Sequence, residues 1–192
     1  MKGLNKNTSP AKAIALVGIS AATVECAKLA LSFLPNIEVV TLLVALFSYT
    51  FGIYGVMSAV IFVCIEPLIY GFGTWVVLYF IYWPTLALVF MILGKKRVKN
   101  RVILTLIAVV MTFLFGVLSA LVDVGLLSGF FDKFFYRFAV YYARGIVFYA
   151  VQIACNAVIF PLLFKPLSEK LFVVKKRIFG STDTKKLHPE TD

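Results

Sequence analysis

The sequence predicts an all-α integral membrane protein with six transmembrane helices and both termini cytoplasmic, and three observations carry that expectation. Of 192 residues, 61% are hydrophobic and only 15% charged. That is more apolar surface than a soluble domain of this size can bury, so lipid must act as part of the solvent. The apolar residues fall into six blocks, at about 13–34, 37–51, 54–71, 74–93, 102–127 and 139–164. Of the 19 basic residues, all but Lys28, Lys133, Arg137 and Arg144 lie before the first block, between the fourth and fifth, or after the sixth. Six spans place these three regions on one side, which the positive-inside rule makes the cytoplasmic side; five or seven would separate the termini.

Each block can be justified in turn, given that about 20 residues at about 1.5 Å each cross a hydrocarbon core about 30 Å thick. The first follows the polar, basic "MKGLNKNTSPAK" and has no A-x-A-like cleavage site after it, so it is expected to be retained. It carries small residues at Ala11, Ala15, Gly18 and Ala22, a stripe along which another helix can approach closely. "LPNIE" (34–38) ends it, because Pro35 cannot donate a backbone hydrogen bond and Asn36 favours turns. The second block is short. "FGIYG" (51–55) and "YGFG" (70–73) bound the third, and "GKKRVKNR" (94–101) separates the fourth from the fifth. The sixth is "YYARGIVFYAVQIACNAVIFPLLF" (141–164) with its approach. Residues 1–12 thus read as a cytoplasmic tail, 13–164 as the membrane domain, and 165–192 as a basic cytoplasmic tail with a disordered end carrying His188, the only histidine.

Several function classes are disfavoured. The net charge of +10 would suit nucleic acid, but the basic residues lie between apolar blocks, so no nucleic-acid partner is expected. Cys26, Cys64 and Cys155 are isolated within apolar blocks and read as packing residues. There is no phosphate-binding loop, no H-E-x-x-H and no Ser/His/Asp arrangement. Neither an enzyme, nor a metal site, nor a bound cofactor is expected.

The intramembrane charges are the candidate site. Under this topology Glu25, Lys28, Glu38, Glu66, Asp123 and Arg144 all fall in the outer third, and the inner halves hold none. A charge at mid-bilayer costs about 2.5–3.5 kcal/mol on insertion scales. Any one of these residues could snorkel or form a structural pair, and Glu25 and Lys28 have suitable i, i+3 spacing. Six at one depth favour a water-accessible, outward-facing polar pocket. Aromatic residues, Trp75 and Tyr79 among them, share that depth; most suit an interfacial belt, and some could stack on a flat ligand. Arg144 is expected to clamp an anionic ligand group or to hold Asp123 and its neighbours in place. Gln152 and Asn156 continue the Arg144 face inward at i+4 spacing, as pocket floor or, slightly preferred, as interhelical hydrogen-bonding groups.

On this pattern, and on "PNIEVVTLLVALFSYTFGIYGVMSA" (35–59) and "YGFGTWVVLYFIYWPTLALV" (70–89), residues 10–170 resemble the substrate-binding S components of energy-coupling factor (ECF) transporters. The resemblance implies high-affinity binding of a water-soluble vitamin or related micronutrient from outside a bacterial cytoplasmic membrane. It also implies an energising module, made of a transmembrane coupling protein and two ATPases, whose ATP hydrolysis topples the S component. The family's AxxxA docking motif is matched in spacing by Ala11 and Ala15, with Gly18 and Ala22 as a second candidate. Nickel- and cobalt-specific members use an N-terminal Met-His segment; this chain begins "MKG", which disfavours a free metal as substrate. Cobalamin-like compounds, flavins, folates and pantothenate all stay open. Two other readings compete: a small proton-coupled secondary carrier using Glu66 or Asp123, and a non-transporting membrane assembly protein in which the outer charges are ion pairs only.

Overall fold

The computed structural model describes residues 9–34, 37–127 and 129–180. The expected break at Pro35 and Asn36, the lysines Lys2, Lys6, Lys185 and Lys186, and the tail with His188 lie outside them. Seven α-helices make up the described chain: α1 (Pro10–Ala30), α2 (Val40–Phe51), α3 (Ile53–Tyr70), α4 (Trp75–Lys95), α5 (Arg101–Ala120), α6 (Phe134–Ile159) and α7 (Lys165–Phe179). π-Helical turns extend α5 over Leu121–Leu127 and join α6 to α7 over Phe160–Phe164. No strand occurs among the described residues. Five helical runs are long and apolar enough to cross a membrane; α2 is apolar but shorter. The fold is that of an all-α, multi-pass membrane protein.

The breaks between helices have local causes. Gly52 and Gly71 end α2 and α3 at φ of 66° and 80°, in the region that only glycine enters without strain. Asn100 caps α5, its side chain accepting from the backbone N–H groups of Val102 and Ile103. Proline inside a helix leaves a carbonyl without its usual donor. Pro84 does this within α4 for the Phe80 carbonyl, and beside it the Thr85 hydroxyl donates to the Ile81 carbonyl at 2.6 Å. Pro161 lies at the start of the π-helical turn after α6, where the ladder is re-spaced.

α2 is the axis of the bundle. All its residues except Leu43 are buried. The approach of α4 is so close that a Cβ on Gly94 would overlap the Tyr49 carbonyl; likewise a Cβ on Gly55 of α3 would overlap the Phe47 backbone. Around α2 the core is formed by side chains such as Phe62, Leu86, Phe90 and Phe160. A central helix needs no lipid-facing length, which explains how 12 residues suffice here.

The basic regions gather at one end of the bundle, taken here as the inner end. Lys12 at the start of α1 donates to the Ile178 carbonyl near the end of α7 at 3.3 Å, so the two ends of the described chain meet. From the sequence, residues from 165 on are expected as a basic cytoplasmic tail. Instead the helix continues as α7, which packs against the inner ends of α2 and α3. Phe172 meets Tyr49 edge-on, Phe179 stacks on Tyr54 at 5.5 Å, and Lys175 donates to the Thr50 carbonyl at 2.6 Å. An ammonium at the C-terminal carbonyls of α2 also complements the helix dipole. The cysteines depart from expectation too. Cys26 and Cys64 are exposed on the bundle surface, and only Cys155 reaches inward, its thiol 3.5 Å from the Glu38 carbonyl.

Candidate ligand-binding site

At about 1.5 Å per residue, the 12 residues of α2 span about 18 Å, well short of the about 30 Å of hydrocarbon. The shortfall lies at the outer end, and there the bundle encloses a cavity of about 330 Å³. Glu38, Val40 and Thr41 at the head of α2 line it. Lys28 comes from α1, Phe62 and Tyr70 from α3, Tyr79, Tyr82 and Trp83 from α4, Thr112 and Phe115 from α5, and Phe148 and Gln152 from α6. Leu31, Ser32, Leu34 and Ile37, in the connection between α1 and α2, border the same space. The volume is at the small end of ligand pockets, and the mixture of ring faces with a few polar groups is typical of them.

The rings are locked against one another, so the walls are preformed. Tyr79 meets Trp83 edge-on at 5.7 Å, and Tyr82 meets Phe115 at 4.9 Å and 76°. Trp75 does not line the cavity; it packs edge-on against Tyr79 at 5.1 Å and supports it from the outer side.

Charge enters the site in two places. Lys28 pairs with Glu66, which is 1% exposed. The ammonium also lies 4.2 Å from the Tyr70 ring centroid and 5.6 Å from that of Tyr79. Glu25 is buried beside this pair, its carboxyl group next to that of Glu66. Glu38 is held differently. One oxygen accepts from the Thr41 backbone N–H at 2.9 Å; the other accepts from the Thr41 hydroxyl at 2.6 Å and the Asn156 amide at 3.0 Å. A carboxylate at a helix N-terminus is stabilised both by the free N–H groups and by the helix dipole. Asn156 is itself fully buried and also donates to the Thr112 hydroxyl at 3.0 Å, tying α6 to α5 under the cavity.

The structure divides the charges expected to share one pocket. Lys28 and Gln152 line the cavity, with Tyr79 as a wall and Glu25 and Glu66 directly behind Lys28. Asp123 and Arg144 stand apart. Asp123, on the π-helical turn after α5, accepts from the Tyr141 hydroxyl at 2.6 Å. Arg144 is exposed and lines a shallow surface depression with Val124, Tyr136, Arg137, Val140 and Tyr141. The reason is helical drift. Positions four apart turn by about 40° each time at 3.6 residues per turn, so a row started at Arg144 is about 80° away by Gln152. Phe148 and Gln152 therefore face the cavity and Arg144 does not. Arg137, in that depression, donates to the Val124 and Gly129 carbonyls and so fastens the connection between α5 and α6.

Glu38 and Asn156 are the site residues that sequence reasoning underweighted. In the sequence Glu38 is one charge among six, and its signal is its place three residues before Thr41, a carboxylate at the start of an apolar block. On α1, Ala11, Ala15, Gly18 and Ala22 are all exposed, and a Cβ on Gly18 would meet nothing within 4 Å. The small-residue stripe is therefore not used for packing inside the chain. Among the described residues no cluster of His, Cys, Asp and Glu has the arrangement of a metal site.

No protein-family model matches the chain, and comparison with characterised proteins and with solved structures yields no significant match.

Proposed function

We propose that this chain is the substrate-binding membrane subunit of an uptake system for a small water-soluble nutrient of the vitamin class, energised by separate subunits in a bacterial cytoplasmic membrane. The observation that carries the reading is the preformed cavity over the head of α2, to which all six bundle helices contribute. It lies at the outer end, and the bundle core fills the space between it and the inner end. A subunit that captures a ligand on one side and depends on a partner to carry it across needs such a one-sided site. The exposed stripe on α1 supports the partner half of the proposal: a surface of Ala and Gly lets a second helix approach closely in lipid, where small residues drive association. The partner in this reading is an ECF-type energising module, a transmembrane coupling protein with two ATPases.

The test is a thermal-shift screen of the purified chain against water-soluble vitamins and their precursors. A ligand at 100 times its Kd should stabilise the fold by about 2.7 kcal/mol. One or more clear hits are expected; uniform silence across the panel would refute the reading. A second reading, a proton-coupled carrier, is favoured by the adjacent buried carboxyls of Glu25 and Glu66. Uptake into proteoliposomes containing this chain alone, driven by a proton gradient without ATP, would establish that reading and displace the first.

A further inference from the structure

The charges around the cavity are unbalanced, and the imbalance bears on what it holds. Lys28 is the only basic residue lining it among the described residues. Its ammonium is already engaged by Glu66 and by the ring faces of Tyr70 and Tyr79. Glu66 already offsets this one cation, and Glu38 adds a further carboxyl group on the cavity wall itself. Glu38 lines the cavity itself, is held by three neutral donors, and makes no ion pair among the described residues. The basic residue that the sequence suggested for an anionic ligand, Arg144, lies outside the cavity. Much of the remaining lining is aromatic, with Tyr79, Tyr82, Trp83 and Phe115 among it, and the negative face of a ring attracts cations.

We propose that the ligand of this cavity is an organic cation with a flat or compact body, its positive charge seated against Glu38 and its faces on Tyr79, Tyr82, Trp83 and Phe115. Such a ligand supplies the partner that Glu38 lacks and uses the ring faces twice, through apolar contact and through their electrostatic attraction. An anion would meet Glu38 and would compete with Glu66 for Lys28. The inference rests on the reading of the chain as a binding subunit.

Charge selectivity among ligands of one shape tests it. Benzamidinium, benzamide and benzoate share a planar ring and a three-atom head but carry charges of +1, 0 and −1, and each can be added at millimolar concentration to the purified full-length chain alongside the vitamin panel. Benzamidinium should raise the unfolding temperature and benzoate should not, and the panel hits should be cationic. Glu38→Gln should weaken cation binding about tenfold or more, and Glu38→Asp, which keeps the charge, should retain most of it. Stabilisation by benzoate equal to or above that by benzamidinium overturns the inference, as does unaltered cation affinity in Glu38→Gln. If Glu38→Gln does not fold, charge selectivity in the wild-type chain decides alone. Hits confined to neutral or anionic panel members overturn the inference and leave the binding-subunit reading standing. Silence from every compound overturns both.

Discussion

Replacing Lys28 with Met removes the cation that pairs with Glu66 while keeping a stem of similar length in place. Glu66 is 1% exposed and Glu25 7%, so the variant leaves two buried carboxyl groups with no opposite charge. Removing one member of a buried ion pair costs about 3–5 kcal/mol. Loss of the ammonium over the Tyr70 ring, 4.2 Å from its centroid, adds about 0.5–2 kcal/mol. Because the Lys28 side chain is 26% exposed, part of its attraction is screened by solvent, and the lower part of that range applies. The expected loss is about 3 kcal/mol. Glu66→Leu should cost less, about 1 kcal/mol, since Lys28 can turn its ammonium toward water. The double variant should fall close to Glu66→Leu alone, because a pair replaced on both sides by apolar groups is often near neutral. The cycle would then show a coupling of about 2 kcal/mol or more.

Equilibrium unfolding in mixed micelles reads this directly. The only two tryptophans, Trp75 and Trp83, both sit on α4 beside the site and report its loss by fluorescence. A Lys28→Met chain within 1 kcal/mol of wild type, with no coupling to Glu66→Leu, would refute the claim that this pair is what holds Glu66 inside the bundle.

Three further predictions follow from packing and hydrogen bonding. Gly94→Ala should destabilise the fold by about 1–3 kcal/mol, measured in the same unfolding assay, because its Cβ has no room beside the Tyr49 carbonyl. Ala15→Leu and Gly18→Leu, on the open stripe of α1, should change stability by less than about 0.5 kcal/mol and leave ligand binding intact. They should nevertheless abolish uptake in cells carrying the proposed energising subunits, and loss of binding would contradict the proposed docking role. Asn156→Ala should cost about 1–3 kcal/mol and also weaken ligand affinity, since its amide donates both to Glu38 and to Thr112; isothermal titration with a panel hit checks the second effect.

The helices were legible because periodicity was not needed: blocks of apolar residues between Gly, Pro and Lys/Arg punctuation mark spans by composition alone. Gly52 and Gly71 fall within the expected turns, and α1 to α5 follow the expected blocks to within a few residues. α7 is not legible in the sequence, because charged residues are frequent in "KPLSEKLFVVKKRIF". Its apolar side, with Phe172 and Phe179, declares itself only when Tyr49 and Tyr54 are there to receive it. The site was half legible. Depth along a helix follows from residue number, so the gathering of Glu25, Lys28, Glu38 and Glu66 at the outer end could be anticipated. Azimuth does not follow from depth, and Arg144 and Asp123 share that depth on a different side of the bundle.

The difference between depth and azimuth also explains why the site is acidic at its centre. A helix N-terminus that stops short inside a membrane bundle leaves backbone N–H groups with no helical acceptor and no headgroup water close by. Glu38 meets that need at the head of α2, where it accepts from the Thr41 N–H. A neutral acceptor would also fill the hydrogen bond, but only a carboxylate leaves a net negative charge facing the cavity. The same stop in α2 creates the empty volume above it. One feature of the sequence, an apolar block too short to span, thus produces both the space for a ligand and the charge that selects it. Lengthening α2 at its head, by inserting one helical turn of four alanines after Val39, should fill the cavity and displace Glu38 by about 6 Å. Such a chain should still fold, since the inner core around Leu46 and Phe90 is untouched, but no compound that stabilises the wild type should stabilise it. If ligand stabilisation survived the insertion, the binding site would have to lie elsewhere, with the depression around Arg144 the first place to look.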